Sequence, residues 1–303
     1  MNTMKKILIA GGSGFIGTYL ANFLGQKGYT VSLLSRKAAK SSRYQEYVWN
    51  PENGELDPAV LKEQDVIINL SGAGIANRYW TKKRKQVLYH SRLDSTSLLV
   101  RRLSELKNLP SLFINASAIG YYGHRPGEIL NEESLPGSDF ISRLCMDWEN
   151  AAKKLRVSGC QTVILRIGIV LGKQGGSLAK FAFPLKFGLN VSFDKGNQMI
   201  SWIHILDLAA MVDQLIKGNL VPDVYNAVAP NPIPQHKFHA EILHALHRRA
   251  FKIRIPQSFL KLVLGDMATI FISDQNIQCK KLLEQNFSFE FPDIRQAIIH
   301  LIG

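Results

Sequence analysis

The chain has 303 residues, and 46% of them are apolar, which is enough to bury one large core or a core with an appended lobe. Its formal net charge of +13 favours anionic partners such as phosphorylated small molecules, but the lack of a zinc-finger or RNP motif argues against nucleic acid. No apolar run reaches the roughly 20 residues that span a bilayer, so we expect a cytoplasmic protein without a membrane partner.

Strand-like runs alternate with helical patterns through the first half of the chain. Short apolar or β-branched runs predict strands at residues 6–10, 30–34, 66–70, 112–116 and 162–166. Apolar spacings of three and four predict helices between them, at residues 15–27, 81–106 and 140–157. Strands that alternate with helices form parallel βαβ units, so we predict an α/β fold with a Rossmann-type, doubly wound parallel sheet.

A glycine-rich loop connects the first strand to the first helix. Gly11, Gly14 and Gly17 give the spacing Gly-x-x-Gly-x-x-Gly, with Gly12 beside the first of them. Glycines here permit a tight turn and close approach of the backbone to a pyrophosphate, and the helix N-terminus adds free N–H groups. An ordinary strand–turn–helix corner is the alternative. The position directly after a strand and before an amphipathic helix favours a dinucleotide.

The second strand ends in a cation, where NAD-binding folds carry an acid. Ser35 is followed by Arg36 and Lys37. A guanidinium attracts the 2′-phosphate of NADP and can stack on adenine, whereas a carboxylate would repel that phosphate. The alternative is that these residues are solvated surface cations. We predict that the cofactor is NADP.

The alternation loosens after Gly172. The pattern predicts a helix at residues 177–187, a strand at 199–203, a helix at 206–217, and three terminal helices at 257–266, 276–285 and 293–301. We therefore predict an NADP-binding Rossmann domain at residues 1–173 and a smaller, mostly helical substrate or regulatory lobe at 174–303. Apolar residues of the segment 257–303 should pack against the rest of the chain: Phe259, Leu260, Val263, Leu264, Leu282, Leu283, Phe287 and Phe291.

Motifs spread over nearly the whole chain resemble the extended and atypical branch of the short-chain dehydrogenase/reductase superfamily. More narrowly, the chain resembles its "epimerase family" proteins, which carry an extra C-terminal helical segment. Besides the glycine loop and Ser35-Arg36, the marks lie at residues 69–72, 91–92, 117–123, 148–149, 165–172, 202–207, 225–227 and 264–268. The resemblance implies an NADP-dependent oxidoreductase or a nucleoside-sugar-type epimerase acting on a small, possibly anionic substrate. It leaves a homo-oligomer open.

The resemblance also implies a set of cofactor contacts. The glycine loop would hold the pyrophosphate through Gly11, Gly12, Ser13, Gly14, Phe15, Ile16 and Gly17. Ser35 and Arg36 would take the 2′-phosphate, with Arg92 as a second basic contact. The remaining contacts would be Leu70, Ser71 and Gly72 on the adenosine side and Val170 near the nicotinamide.

The catalytic pair that is usual in this superfamily is missing. Ser117 matches the serine at a strand end, but the positions of the following Tyr-x-x-x-Lys hold roughly Ile141 and Cys145, which cannot replace it. By elimination, Tyr121 or Tyr122 is the candidate proton donor. The alternative is that both rings only pack.

Other polar residues have structural alternatives. Arg166 could bind a substrate anion or pair with a carboxylate, and His204 is expected to be a hydrogen-bonded structural histidine. The histidines between residues 236 and 247 are expected to face solvent, and no cluster has the spacing of a metal site. Two functions stay open: an NADP-dependent enzyme, or a non-catalytic protein that senses NADP(H) and uses its C-terminal helices as a regulatory surface.

Overall fold

The computed structural model describes residues 4–37, 43–173 and 175–302. Its helices are α1 Phe15–Gln26, α2 Lys82–Ser104, α3 Phe140–Lys153, α4 Leu178–Lys186, α5 Ile205–Lys217, α6 Gln235–Ala245, α7 Gln257–Leu264, α8 Thr269–Ile272, α9 Lys280–Glu284 and α10 Ile294–Ile302. The strands are β1 Lys6–Ala10, β2 Thr30–Ser35, β3 Gln45–Val48, β4 Val66–Asn69, β5 Leu112–Ala118, β6 Ile129–Leu130, β7 Gln161–Ile167, β8 Ile169–Gly172, β9 Gly175–Gly176, β10 Leu189–Phe193, β11 Met199–Ile200, β12 Trp202–His204, β13 Val224–Ala227, β14 Ile233–Pro234, β15 Phe251–Ile255 and β16 Asn276–Ile277.

Seven of the described strands form one sheet in the order β13-β7-β5-β4-β1-β2-β3, and every neighbouring pair is parallel. The chain runs outward in one direction from β1 to β3 and in the other from β4 to β13. The strand order therefore reverses between β1 and β4, and the carboxyl ends of these two strands flank the crevice where such sheets bind ligands. The predicted Rossmann-type α/β fold is confirmed.

Both faces of the sheet are covered, as continuous apolar strands require. Ile7 and Ile9 face α1 and α5, while Leu8, between them, faces the other layer. That second layer contains α2 and α3 and buries Leu99 and Leu103 of α2. Because side chains alternate along a strand, this arrangement buries each residue of β1 after Lys6.

Several elements that follow residue 173 still belong to the nucleotide-binding half. β8, β12 and α5 pack beside the sheet, and β13 completes it next to β7. The smaller lobe is built instead from α4, α6 and α10 around Leu185, Trp202 and Phe238. Strands β3 and β13 were not predicted, because their short segments lack a continuous apolar run. The predicted strand 199–203 is two strands, since β11 pairs with β14 while β12 pairs with β8.

The C-terminal segment is distributed over the molecule. The helix predicted at residues 276–285 is wrong at its start, because Asn276 and Ile277 pair with β6 and the helix covers only Lys280–Glu284. Leu282 and Phe287 pack on the core of the main sheet, whereas α10 packs on α6 in the lobe. The predicted burial holds for Leu260, Leu282, Phe287 and Phe291, and Leu264 is half-buried. It is wrong for three residues on the outer faces of α7 and α9: Phe259, Val263 and Leu283.

Candidate active site

The glycine loop forms the turn from β1 into α1 beside the point where the strand order reverses. Gly11 has a φ of +79°, and a Cβ there would lie 2.9 Å from the Leu70 backbone, so the position requires glycine. A Cβ on Gly17 would lie 2.4 Å from the Gly11 carbonyl oxygen, because α1 packs directly on the loop. Among the described residues, a Cβ on Gly14 would meet that oxygen alone, at 3.4 Å. Gly14 is therefore the loop glycine whose open side faces the adjoining cavities.

Some of the other loop residues pack against neighbouring side chains, and others line one of two cavities. Gly12 is covered by Leu33, whose side chain would lie 2.6 Å from an added Cβ. The Phe15 ring lies against the β8–β9 turn, where a Cβ on Gly175 would come within 2.5 Å of it. Phe15 and Ile16 line a large cavity on the inner side of the loop, and Ser13 lines a small one on its outer side.

The small cavity, called the outer cavity below, has a volume of about 180 Å³ and is lined by Ser35, Arg36, Leu70, Ser71 and Gly72, among others. Arg36 is exposed at its edge. The Ser35 hydroxyl donates to the Lys37 carbonyl oxygen at 2.9 Å and lies 3.2 Å from the Glu46 carboxylate. The buried Ser71 hydroxyl has no hydrogen-bond partner among the described residues. A buried hydroxyl left unpaired at a cavity wall fits a site that a polar ligand completes.

The large cavity, called the inner cavity below, has a volume of about 980 Å³. Ser117, Ile141 and Val170 line it from the sheet side, and Phe193 and His239 line it from the lobe. Gly11, Gly14 and Leu70 line both cavities, which therefore adjoin at the glycine loop. The volume is at the upper end of that of ordinary ligand sites, so the inner cavity can hold part of a cofactor together with a second small molecule.

Arg92 of α2 brings an uncompensated positive charge to the inner cavity. Its guanidinium lies 5.2 Å from the ring centroid of Trp148 and donates to the Leu88 carbonyl oxygen at 3.0 Å. No carboxylate within the described ranges lies within ion-pair distance of it. Burial lowers the pKa of Arg92. A partly buried cation without a counter-charge is stabilised by an anionic ligand.

A buried ion pair lies beneath Ser117. The Ser117 hydroxyl donates to Glu149 Oε1 at 2.8 Å. Arg166 donates to both carboxylate oxygens of Glu149, at 2.8 and 3.0 Å, and neither side chain is more than 4% exposed. Arg166 is therefore paired with a carboxylate, which was one of the two alternatives left open for it. The pair fixes the orientation of Ser117 at the cavity wall.

The two candidate tyrosines differ in their surroundings. Tyr122 is fully buried, and its hydroxyl donates to Asn226 at 2.6 Å and accepts from Arg166 at 2.9 Å. Burial raises the pKa of Tyr122 to about 12. Its hydroxyl is committed to the core and is not part of the inner cavity wall, so the geometry argues against Tyr122 as a proton donor. Tyr121 is half-buried, with its ring centroid 3.4 Å from the Arg166 guanidinium carbon, and it does not line the inner cavity either.

Helix α3 occupies the position where the superfamily carries its tyrosine and lysine. Ile141 faces the inner cavity next to Gly120, where an added Cβ would lie 2.3 Å from the isoleucine side chain. Cys145, one turn later, is buried, and this burial raises its pKa to about 12. Neither group can exchange a proton near neutral pH.

A family model described as "NAD dependent epimerase/dehydratase family" matches residues 7–227, which is most of the chain. The chain belongs to that family. A second model, described as "Domain of unknown function (DUF1731)", matches residues 255–301. The C-terminal segment therefore matches a family model of its own, and its contacts with both cores explain how it is held in place.

One protein of similar sequence and two solved structures illustrate what this family member is similar to. The mouse "Epimerase family protein SDR39U1" is 32% identical over 301 residues, which is 98% of this chain and 100% of the relative. The crystal structure of human SDR39U1 (isoform 2) with NADPH superposes with a TM-score of 0.89 at 30% identity, covering 98% of this chain and 99% of that one. A nucleoside-diphosphate sugar epimerase from Corynebacterium glutamicum superposes with a TM-score of 0.81 at 27% identity, covering 99% of this chain and 59% of that one.

His239 of this epimerase-family chain is a site residue that sequence reasoning did not identify. It was expected to face solvent, but it is 4% exposed and lies in the inner cavity wall. Its Nδ1 lies 2.8 Å from Asn190 Oδ1, and its Nε2 has no hydrogen-bond partner among the described residues. Burial lowers the pKa of His239 to about 4, so the ring is neutral near pH 7. The spacing of α6 could not reveal this, because β10 supplies Asn190 from a distant part of the chain.

The other histidines are either exposed or held in structural hydrogen bonds. His236, His244 and His247 are exposed, as expected. His204 is buried, accepts from the Leu206 N–H at 3.1 Å and stacks on Phe291, which is a structural role. The described residues contain no group of three potential metal ligands, and none of their helices is long and apolar enough to cross a bilayer.

Proposed function

We propose that this chain is an NADP(H)-dependent oxidoreductase or epimerase that acts on a small anionic substrate of the nucleoside-sugar type. The observation that carries the proposal is the pair of cavities that adjoin at the glycine loop. The outer cavity offers Arg36 for a 2′-phosphate, and the inner cavity extends far beyond the loop into the lobe. That additional space can hold a second small molecule beside the cofactor, as an enzyme of this kind requires.

Several observations support NADP over NAD. Arg36 is the exposed cation at the edge of the outer cavity, at the end of β2. The unpaired Ser71 hydroxyl and the open side of Gly14 fit the ribose and pyrophosphate of a dinucleotide. The human relative was crystallised with NADPH. Ser35 would have to release a present hydrogen bond in order to donate to the 2′-phosphate.

The chain's own residues have separate roles in this proposal. The cofactor would supply or accept a hydride. Arg92 would hold an anionic group in the inner cavity, and Ser117, which donates its own proton to Glu149, would accept a hydrogen bond from a substrate hydroxyl or from the proton donor. Tyr122 is dropped because its hydroxyl is already bonded on both sides. Tyr121 remains the proposed proton donor, although its ring lies on Arg166 outside the cavity wall and would have to turn toward the substrate. His239 would accept a hydrogen bond from the distal end of the substrate through Nε2.

The second candidate function is NADP(H) sensing without catalysis. Ile141 and Cys145 favour it, since they remove the usual acid and its lysine from the cavity wall. In that case the inner cavity would bind a regulatory ligand. The C-terminal segment contacts both hydrophobic cores, and a change in its position would then signal that the ligand is bound.

Turnover assays separate the two functions. The purified chain is given NADPH with a panel of small carbonyl acids, and oxidised NADP with a panel of nucleoside-diphosphate sugars, because an epimerase first takes a hydride from the sugar. NADPH consumption is followed by absorbance, and epimer formation by NMR, because an epimerase regenerates its cofactor. Turnover that Gly14→Val abolishes supports the enzyme. Tight NADPH binding without turnover on any panel member supports the sensor, and failure to bind NADPH at all refutes both.

A further inference from the structure

Four exposed apolar side chains form a continuous patch at the tip of the lobe, called the apolar rim here. Phe183 and Phe187 of the α4 region, Leu189 of β10 and Phe251 of β15 are 65, 70, 43 and 76% exposed. The ring centroids of Phe183 and Phe187 are 5.1 Å apart, and Leu189 is paired with Phe251 across the two strands. The Phe251 N–H donates to the Gly188 carbonyl oxygen at 2.8 Å, which joins the two halves of the patch.

The rim is surrounded by positive charge of one sign. The two segments that form it, residues 178–193 and 242–265, contain no Asp or Glu. They contain seven cationic side chains, all exposed and none within ion-pair distance of a carboxylate in the described part of the chain: Lys180, Lys186, Arg248, Arg249, Lys252, Arg254 and Lys261. About half of the net charge of +13 therefore lies on these two segments.

The inner cavity does not account for the rim. Phe181, Pro184 and Leu185 of α4 line the cavity, whereas Phe183 and Phe187 are left in solvent. The α4 region therefore has two apolar surfaces. One lines the inner cavity, and the other is left exposed to solvent. Contiguous exposed apolar surface on a folded protein marks a contact with something else.

We propose that the apolar rim docks the lobe on the surface of an anionic lipid bilayer. Aromatic rings are favoured at the level of the lipid headgroups, and flanking cations are attracted to anionic lipids. This contact lies on the surface of the bilayer, and so it is compatible with the lack of a spanning helix among the described residues. It departs from the expectation of no membrane partner, which considered spanning segments alone. The proposal is independent of the chemistry assigned to the inner cavity.

Two other occupants fit the charge and geometry less well. A second copy of the chain, related by a two-fold axis, would bring the cations around one rim against those of the other. Single-stranded nucleic acid binds flat, separated aromatic faces, whereas the rings of Phe183 and Phe187 pack on each other at an angle of 60°. An anionic bilayer supplies the opposite charge itself, and its contact with aromatic rings does not depend on flat stacking.

Flotation of the full chain with lipid vesicles tests the proposal. Vesicles of phosphatidylcholine alone are compared with vesicles that also contain roughly a third phosphatidylserine, at low and at high salt. We expect binding to the anionic vesicles at low salt, reduced at least about tenfold by high salt or by omission of phosphatidylserine. The double variant Phe187→Ser/Phe251→Ser and the double variant Arg249→Glu/Lys252→Glu should each reduce binding at least about tenfold.

Matched variants outside the rim serve as controls. Val157→Ser changes an exposed apolar side chain in the turn after α3, and Lys82→Glu/Lys83→Glu reverses two exposed charges on α2; both should bind like the wild type. Circular dichroism and NADPH titration verify that each variant is folded. Equal binding by wild type and rim variants would overturn the proposal, as would no binding to either vesicle. Sedimentation that shows a dimer lost in the rim variants, or oligonucleotide binding without vesicle binding, would assign the rim to those occupants instead.

Discussion

The two ends of the candidate site are built from different kinds of structure. The cofactor end consists of turns at the carboxyl ends of β1, β2 and β4, and its exposed cation, Arg36, follows β2 directly in sequence. The lobe end of the inner cavity is lined mostly by apolar side chains of α4 and β10, among which α6 places the buried, neutral His239. The first end is a local device repeated in many proteins with this fold, whereas the second depends on the packing of this particular lobe.

This difference separates the residues that would select the cofactor from those that would select the substrate. In the proposed function, backbone turns would recognise the pyrophosphate that all dinucleotides share, and the Arg36 side chain would decide between NAD and NADP. The substrate would be recognised by groups whose positions are set by long-range contacts, so substrate preference could change without any change at the glycine loop. Variants at the two ends, and at the ion pair between them, should therefore have separable effects.

The largest effect is expected at the ion pair between the two ends. Glu149→Ala should lower the free energy of unfolding by about 3–5 kcal/mol, because it leaves the Arg166 guanidinium buried without its carboxylate. Glu149→Gln should cost less, since its amide oxygen still accepts one of the hydrogen bonds. Urea denaturation followed by circular dichroism measures both. An unchanged midpoint for Glu149→Ala would mean that Arg166 finds water or another partner.

A smaller effect, confined to the cofactor end, is expected from the glycine loop. Gly14→Val should weaken NADPH binding by more than about 100-fold, or about 2.7 kcal/mol, and leave the thermal unfolding midpoint almost unchanged. The valine side chain would fill the open side of the loop, where Gly14 meets only the Gly11 carbonyl oxygen. Gly17→Val is the contrast, because its Cβ would lie 2.4 Å from that oxygen and should destabilise the fold. Calorimetry with NADPH that finds wild-type affinity in Gly14→Val would show that the loop is only a structural corner.

The same division explains how far the sequence could predict the structure. β1, the glycine loop and α1 follow from local periodicity and spacing, and so did the position of Arg36. The burial of His239 could not be predicted, because Asn190 lies 49 residues away along the chain. The sequence also left open whether Arg166 pairs with a carboxylate. Its partner Glu149 lies on a different element, and only the packing of α3 against β7 brings the two together.

A change of cofactor preference is the next expected effect. Arg36→Ala should weaken NADPH binding about tenfold, or about 1.4 kcal/mol, with little change for NADH, because only NADPH carries the 2′-phosphate. Arg36→Asp should reverse the preference, since a carboxylate repels that phosphate and accepts a hydrogen bond from a 2′-hydroxyl. Lys37→Ala is the matched control for general loss of surface charge. Parallel titrations with both cofactors measure the ratio, and equal affinities in the wild type would contradict the assignment of NADP.

The smallest effect is expected from the acid titration of the substrate end. The pKa of His239 is lowered to about 4, against an ordinary value of 6.5, because the ring is buried. Between these values the unfolded chain binds a proton that the folded chain does not, so stability falls as the pH falls through this window and is regained above about pH 6.5. One such histidine should account for about 0.7 kcal/mol between pH 7 and pH 6. His204, whose pKa is also lowered to about 4 by burial, should contribute a similar amount. Urea denaturation at a series of pH values should therefore show that His239→Gln removes about half of this dependence. If the variant keeps the full pH dependence, His239 takes up its proton in the folded chain, and the neutral acceptor assigned to the inner cavity is lost.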